Sequence, residues 1–167
     1  MWHYKGEEFT SEMIGDYIGF VYIITDGSND RKYIGKKIFK SKRKLPPLKG
    51  KTRKRTKIVE SDWQKYYGSS EEVKLMVEEK GADNFYREII HLCEKKGEMG
   101  YLELYEQITR HALLDDSYYN GICQAKIHRS HVKGLKWLIN ENNSWQTKNL
   151  CYNNYITRLN WSNIWWT

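Results

Sequence analysis

The sequence predicts an α+β fold: a small three-stranded antiparallel sheet flanked by helices, followed by a short C-terminal extension. Three observations carry that expectation. The strand-like segments Gly19-Phe20-Val21-Tyr22 and Tyr33-Ile34-Gly35 flank a turn-forming stretch, Asp26-Gly27-Ser28-Asn29-Asp30, and read as a β-hairpin. A third strand-like run, FYREIIHLC, covers Phe85 to Cys93. Apolar residues recur at helical spacing on either side of that run.

The first 18 residues place Trp2, Tyr4, Phe9 and Tyr17 among acids and glycines and are expected to lie over the domain as a covering segment. In the hairpin, Val21-Tyr22-Ile23-Ile24 and Lys32-Tyr33-Ile34 are rich in β-branched and aromatic residues, as half-buried strands are. Leu45-Pro46-Pro47-Leu48-Lys49-Gly50 holds both prolines of the chain. Proline fixes φ and has no N–H to donate, so an extended loop is expected there. Ser69 with Glu72 three residues on forms a capping-box pattern that opens a helix. Val73, Met76 and Val77 give its apolar stripe, and Gly81 is placed to end it. A second amphipathic helix is expected from Gly100 to Leu114, with Leu102, Tyr105, Thr109, Ala112 and Leu113 on one face. Tyr118-Tyr119-Asn120-Gly121 reads as a turn, and a further helix is expected from Ser130 to Asn140.

The net charge of +7 is unevenly spread. Residues 36–57 hold 12 basic residues and no acid, whereas residues 1–35 hold 3 basic and 6 acidic. Such a block repels itself unless an anion neutralises it, which points to nucleic acid; the alternative is a solvated lysine-rich loop. The three cysteines, Cys93, Cys123 and Cys151, form no closely spaced pair, so a reducing, cytoplasmic compartment is expected. No apolar run is long enough to span a bilayer. The expected division is a domain over 1–125, with its core at 19–122 and a basic loop at 36–57, then a basic, tryptophan-rich extension over 126–167.

Tyr22 and Tyr33, with ten residues between them, resemble the paired motif of the GIY-YIG nuclease superfamily, with Phe20-Val21-Tyr22 standing for the first triplet. The resemblance extends through Trp63-Gln64-Lys65-Tyr66-Tyr67-Gly68-Ser69-Ser70 and Lys80-Gly81-Ala82-Asp83-Asn84-Phe85, which look like the middle of small GIY-YIG endonucleases of tailed phages, homing types among them. It implies a metal-dependent DNA endonuclease, active in the host cell cytoplasm if phage-encoded. A nucleic-acid-binding protein that keeps the fold without cutting is the alternative.

Phosphodiester hydrolysis needs an activated water and a cation to offset the phosphate charge, so one carboxylate and one arginine are sought first. The resemblance puts the metal-binding glutamate on the helix after the third strand, at Glu106, with magnesium or manganese as the cation. Glu103 lies one turn earlier near the same face, and the alternative for Glu106 is an ion pair with Arg110 at i+4. The family's phosphate-contacting arginine falls at Arg43 counting from Tyr33, or at Arg55 counting back from Gly68; Arg53, Lys36 and Lys37 stay open. The resemblance makes Tyr22 the general base, if a nearby cation lowers its pKa. It gives Tyr33 the positioning of water or phosphate, and Asn120 a supporting role. Lys36, Lys37, Lys42, Lys51, Arg53 and Lys54 are expected to contact phosphates without reading sequence.

Overall fold

Alternating large apolar residues along one strand organise the molecule. A computed structural model describes residues 1–138. Its strands are β1 (Trp2–Tyr4), β2 (Glu7–Glu8), β3 (Gly19–Asp26), β4 (Lys32–Ile38), β5 (Lys40–Leu45), β6 (Arg55–Glu60) and β7 (Phe85–Cys93). Helix α1 (Glu71–Lys80) precedes β7, and α2 (Lys96–Thr109) follows it. β3 is buried along nearly its whole length. Phe20, Tyr22 and Ile24 point to one face, into a cluster with Trp2, Phe39, Trp63 and Val73 of α1. Gly19, Val21 and Ile23 take the other face, where a Cβ on Gly19 would lie 2.8 Å from the Met99 sulfur of α2. Helix α2 packs across β3, β4 and β7 on that side.

The α+β class is as expected, and the antiparallel set β7-β3-β4 contains the three expected strands. The sheet is larger, however: five strands in the order β2-β1-β7-β3-β4, with β1 parallel to β7. The N-terminal segment is therefore part of the sheet and not a cover. Trp2 holds it there: its indole nitrogen donates to the Trp63 carbonyl at 2.7 Å, and its ring meets Phe20 and Tyr22 edge-on at 5.0 and 5.1 Å. Edge-to-face pairs of this kind contribute about 0.5–1.5 kcal/mol each beyond the area they bury.

The basic stretch is also more ordered than expected. β5 and β6 form a separate two-stranded antiparallel ribbon, and only 46–54, with both prolines, is loop. The ribbon's base is pinned at the fully buried Phe39, whose N–H donates to the Ile18 carbonyl (2.9 Å) and whose carbonyl accepts from the Ser61 N–H (2.8 Å).

The capping box does not form. Ser70 is the N-cap of α1, Ser69 shares a hydrogen bond with Tyr33, and Glu72 pairs with Arg31. Helix α2 runs from Lys96 to Thr109 in place of the expected 100–114. Beyond it, Tyr118 makes a parallel bridge to Lys32, and the Tyr119 N–H donates to the Lys32 carbonyl at 2.7 Å. The expected turn thus flanks the free edge of β4. Asp26, fully buried, ties these parts together. It accepts from the Ser28 N–H (2.9 Å) and hydroxyl (2.7 Å), the Lys80 ammonium (2.7 Å) and the Tyr119 hydroxyl (2.8 Å).

The chain divides into two compact units, Met1–His131 and Val132–Thr167. Where a helix was expected from Ser130 to Asn140, the described residues show a 3-10 turn at Arg129–Val132; residues 139–167, with Trp145, Trp161, Trp165 and Trp166 of the expected extension, lie outside the described residues. Among the described residues no helix is long and apolar enough to cross a membrane.

Candidate active site

Strand β4 and helix α2 border a cleft of about 640 Å³, lined among others by Tyr33, Lys36, Ser69, Glu103, Gln107 and Asn120. Tyr22 lies behind this surface, 1% exposed, its ring centroid 6.3 Å from that of Tyr33. Two glycines make room for the pair. A Cβ on Gly35, opposite Tyr22 in the sheet, would stand 2.5 Å from the Tyr22 hydroxyl oxygen. One on Gly68, at φ +102°, would stand 2.9 Å from the Tyr33 ring. The Tyr33 hydroxyl shares a hydrogen bond of 3.1 Å with Ser69 Oγ.

Burial pushes the Tyr22 hydroxyl well above the ordinary tyrosine range, and neighbouring Tyr33, Tyr66 and Glu103 push it further. A general base would need the opposite, a lowering.

Asn120 is a clamp. Its Oδ1 accepts from the Ile34 N–H at 2.9 Å and its Nδ2 donates to the Ile34 carbonyl at 2.8 Å. Gln107 donates to the same carbonyl at 3.2 Å. These side chains satisfy the outer edge of β4 as a neighbouring strand would.

The two glutamates of α2 part company. Glu103 faces the cleft and is ion-paired with Lys36. Burial raises its carboxyl above the usual range, and Lys36 offsets only part of that. Glu106 does not line the cleft. One oxygen is 2.6 Å from His91 Nε2 of β7 and the other accepts from Arg110 Nε at 2.7 Å. Burial pushes its carboxyl up, but the bonds from His91 and Arg110 bring it below its ordinary value. Of the two, Glu103 lines the cleft, while Glu106 is engaged by His91 and Arg110. Three residues turn a helix by about 300°, so the two carboxylates are roughly 60° apart around the axis, enough to separate cleft from interior.

The expected arginines are elsewhere as well. Arg43 and Arg55 are exposed on β5 and β6, opposite Lys57 and Leu45, and line no part of the cleft. Its cation is Lys36. Lys37 pairs with Asp62 at 2.6 Å and lies over the Tyr66 ring. Lys42 is exposed on the ribbon, and Lys51, Arg53 and Lys54 are exposed in its loop. Ser69, Gln107 and His91 had no signal in the sequence, because their partners are 15 to 73 residues away.

A hairpin presenting two glycine-backed tyrosines beside a helix-borne glutamate and a late asparagine is the layout of a GIY-YIG nuclease domain. The family model described as "Putative endonuclease segE, GIY-YIG domain" matches residues 2–123, and the chain belongs to that family. The match begins at Trp2, so β1 and β2 are part of the family domain. No curated protein and no solved structure matches the chain.

Among the described residues no three His, Cys, Asp or Glu side chains cluster as a metal cage. Three glutamates line the cleft, Glu71 paired with Lys74, Glu72 with Arg31 and Glu103 with Lys36, and a carboxylate suits a hard divalent cation that takes its remaining ligands from water and phosphate.

Proposed function

We propose that the chain is a metal-dependent endonuclease that hydrolyses phosphodiester bonds of DNA. The supporting observation is the convergence of Tyr33, Lys36, Glu103 and Asn120 on one cleft. Glu103 would hold magnesium or manganese, which when bound supplies Lewis-acid stabilisation of the charge that builds up on the phosphate. Lys36 offers an ammonium to the scissile phosphate. The Tyr33 hydroxyl, tethered to Ser69, orients the attacking water or a phosphate oxygen. Asn120 and Gln107 keep β4, and with it Tyr33 and Lys36, in register.

One observation favours a second reading, a protein that binds DNA without cutting it. Glu103 is already engaged by Lys36, and the cleft has no arginine among its lining residues. Supercoiled plasmid decides between the two. Nicking that needs magnesium, stops with EDTA and disappears in Glu103→Ala establishes the nuclease. Plasmid left intact across divalent metals, yet retarded on a gel, establishes the binding protein.

A further inference from the structure

The β5–β6 ribbon carries Lys40, Lys42, Arg43, Lys44, Arg55 and Lys57, all exposed. None of the six has a carboxylate partner among the described residues, whereas Lys36, Lys37, Lys80 and Arg110 are all paired. Directly opposed residues share a face of an antiparallel pair. Arg43 opposite Lys57 and Leu45 opposite Arg55 therefore make one face, and Lys42 opposite Ile58 and Lys44 opposite Thr56 make the other. Both faces are cationic, and Ile58 stands 63% exposed amid the lysines. Lys40 stands opposite Glu60, but Arg43 and Lys57 are like charges directly opposed, an arrangement that destabilises a strand pair unless an anion lies against it. The ribbon belongs to no larger sheet, so nothing in the sheet topology offsets this.

Six residues of strand extend about 17–20 Å, and a two-stranded ribbon is an element that the major groove, about 12 Å wide, admits. We infer that the ribbon lies in the major groove of duplex DNA beside the cleavage site. The forked guanidiniums of Arg43 and Arg55 face base edges, where they suit guanine, and the lysines reach phosphates. The position of the cut rests on the nuclease reading; the grip on the duplex does not. β5 continues from β4 through the buried Phe39, so the gripped segment and the phosphate at Lys36 stand at a set offset.

The test is binding of the whole chain, in EDTA, to a short duplex and to the same sequence as single strand, with methylation interference on the duplex. The duplex should bind more tightly, and methyl groups at guanine N7 in the major groove should interfere while those at adenine N3 in the minor groove should not. Removing four charges (Lys42→Ala, Arg43→Ala, Arg55→Ala and Lys57→Ala together) should weaken binding at least about tenfold and reduce the slope of log K against log salt by about 3–4. If that variant does not fold, the Arg43→Ala/Arg55→Ala pair and the wild-type interference pattern decide. Unchanged binding by a folded variant overturns the inference, as do interference at adenine N3 alone, equal or tighter binding of single strand, and failure to bind duplex at low salt. Plasmid cutting separates the readings: cutting without ribbon-dependent binding removes the groove grip alone, and ribbon-dependent binding without cutting removes the nuclease alone.

Discussion

Glu103 and Glu106 stand three residues apart on α2 and serve different sides of it, Glu103 paired with Lys36 in the cleft and Glu106 held by His91 and Arg110. One helix thus turns one carboxylate to the cleft and uses the other to fasten itself to β7.

Alanine at each position should therefore produce opposite phenotypes. Glu106→Ala removes the carboxylate that joins His91 of β7 and Arg110 to α2 and is expected to cost about 1–3 kcal/mol, lowering the melting temperature by several degrees. Glu103→Ala removes a carboxylate that burial opposes, so the melt should hardly move while plasmid nicking is lost. Parallel melts and plasmid assays check both, and nicking that survives Glu103→Ala would remove this residue from the reaction.

Gly35→Ala should damage the site without touching any charge. The new methyl would stand 2.5 Å from the Tyr22 oxygen and 2.7 Å from its Cζ, and Tyr22 is too deeply buried to move aside. Overpacking of this kind costs about 1–3 kcal/mol. A lowered urea midpoint together with reduced nicking is the expected outcome; a variant as stable as the wild type would show that Tyr22 can relax.

Asn120→Asp keeps size and shape but replaces the donor to the Ile34 carbonyl with an acceptor. The Ile34 carbonyl would keep Gln107 as a donor but lose the shorter bond and face a carboxylate oxygen instead, which should cost about 1–3 kcal/mol. Amide exchange at Ile34, followed by NMR, should accelerate in the variant relative to strand β3, which a purely catalytic role for Asn120 would not produce.

Asp26 should give the fold an acid-side weakness. Hydrogen bonds from Lys80, Ser28 and Tyr119 outweigh the cost of burial and hold its carboxyl well below the usual range. The folded state then binds fewer protons than the unfolded chain, whose carboxyl titrates near about 3.9. This contribution is fully present above that value and is lost as the pH falls towards the folded one. Denaturant midpoints between neutral and acid pH should fall more steeply for the wild type than for Asp26→Asn. Parallel curves would assign the acid sensitivity to another group.

What the sequence revealed follows from how far its signals reach. The hairpin and the strand from Phe85 to Cys93 were legible because apolar and aromatic residues fill them over seven to nine positions. β1 and β2, of three and two residues, are too short to show any period, and Trp2 earns its place through Trp63 and Phe20, far along the chain. The β5–β6 ribbon was hidden because half of its residues are cations and its apolar residues, Leu45, Ile58 and Val59, follow no alternation. Glutamates one turn apart look equivalent until the helix phase is known. His91 shows its purpose only when β7 and α2 are side by side.

The edge of β4 is finished by residues 118–120, which lie in the chain well after the strand they complete. During synthesis the tyrosine hairpin and both helices can emerge while Ile34 still lacks the Asn120 clamp. The cleft is thus completed last, and a chain interrupted after α2 carries the tyrosines and Glu103 without the brace on β4.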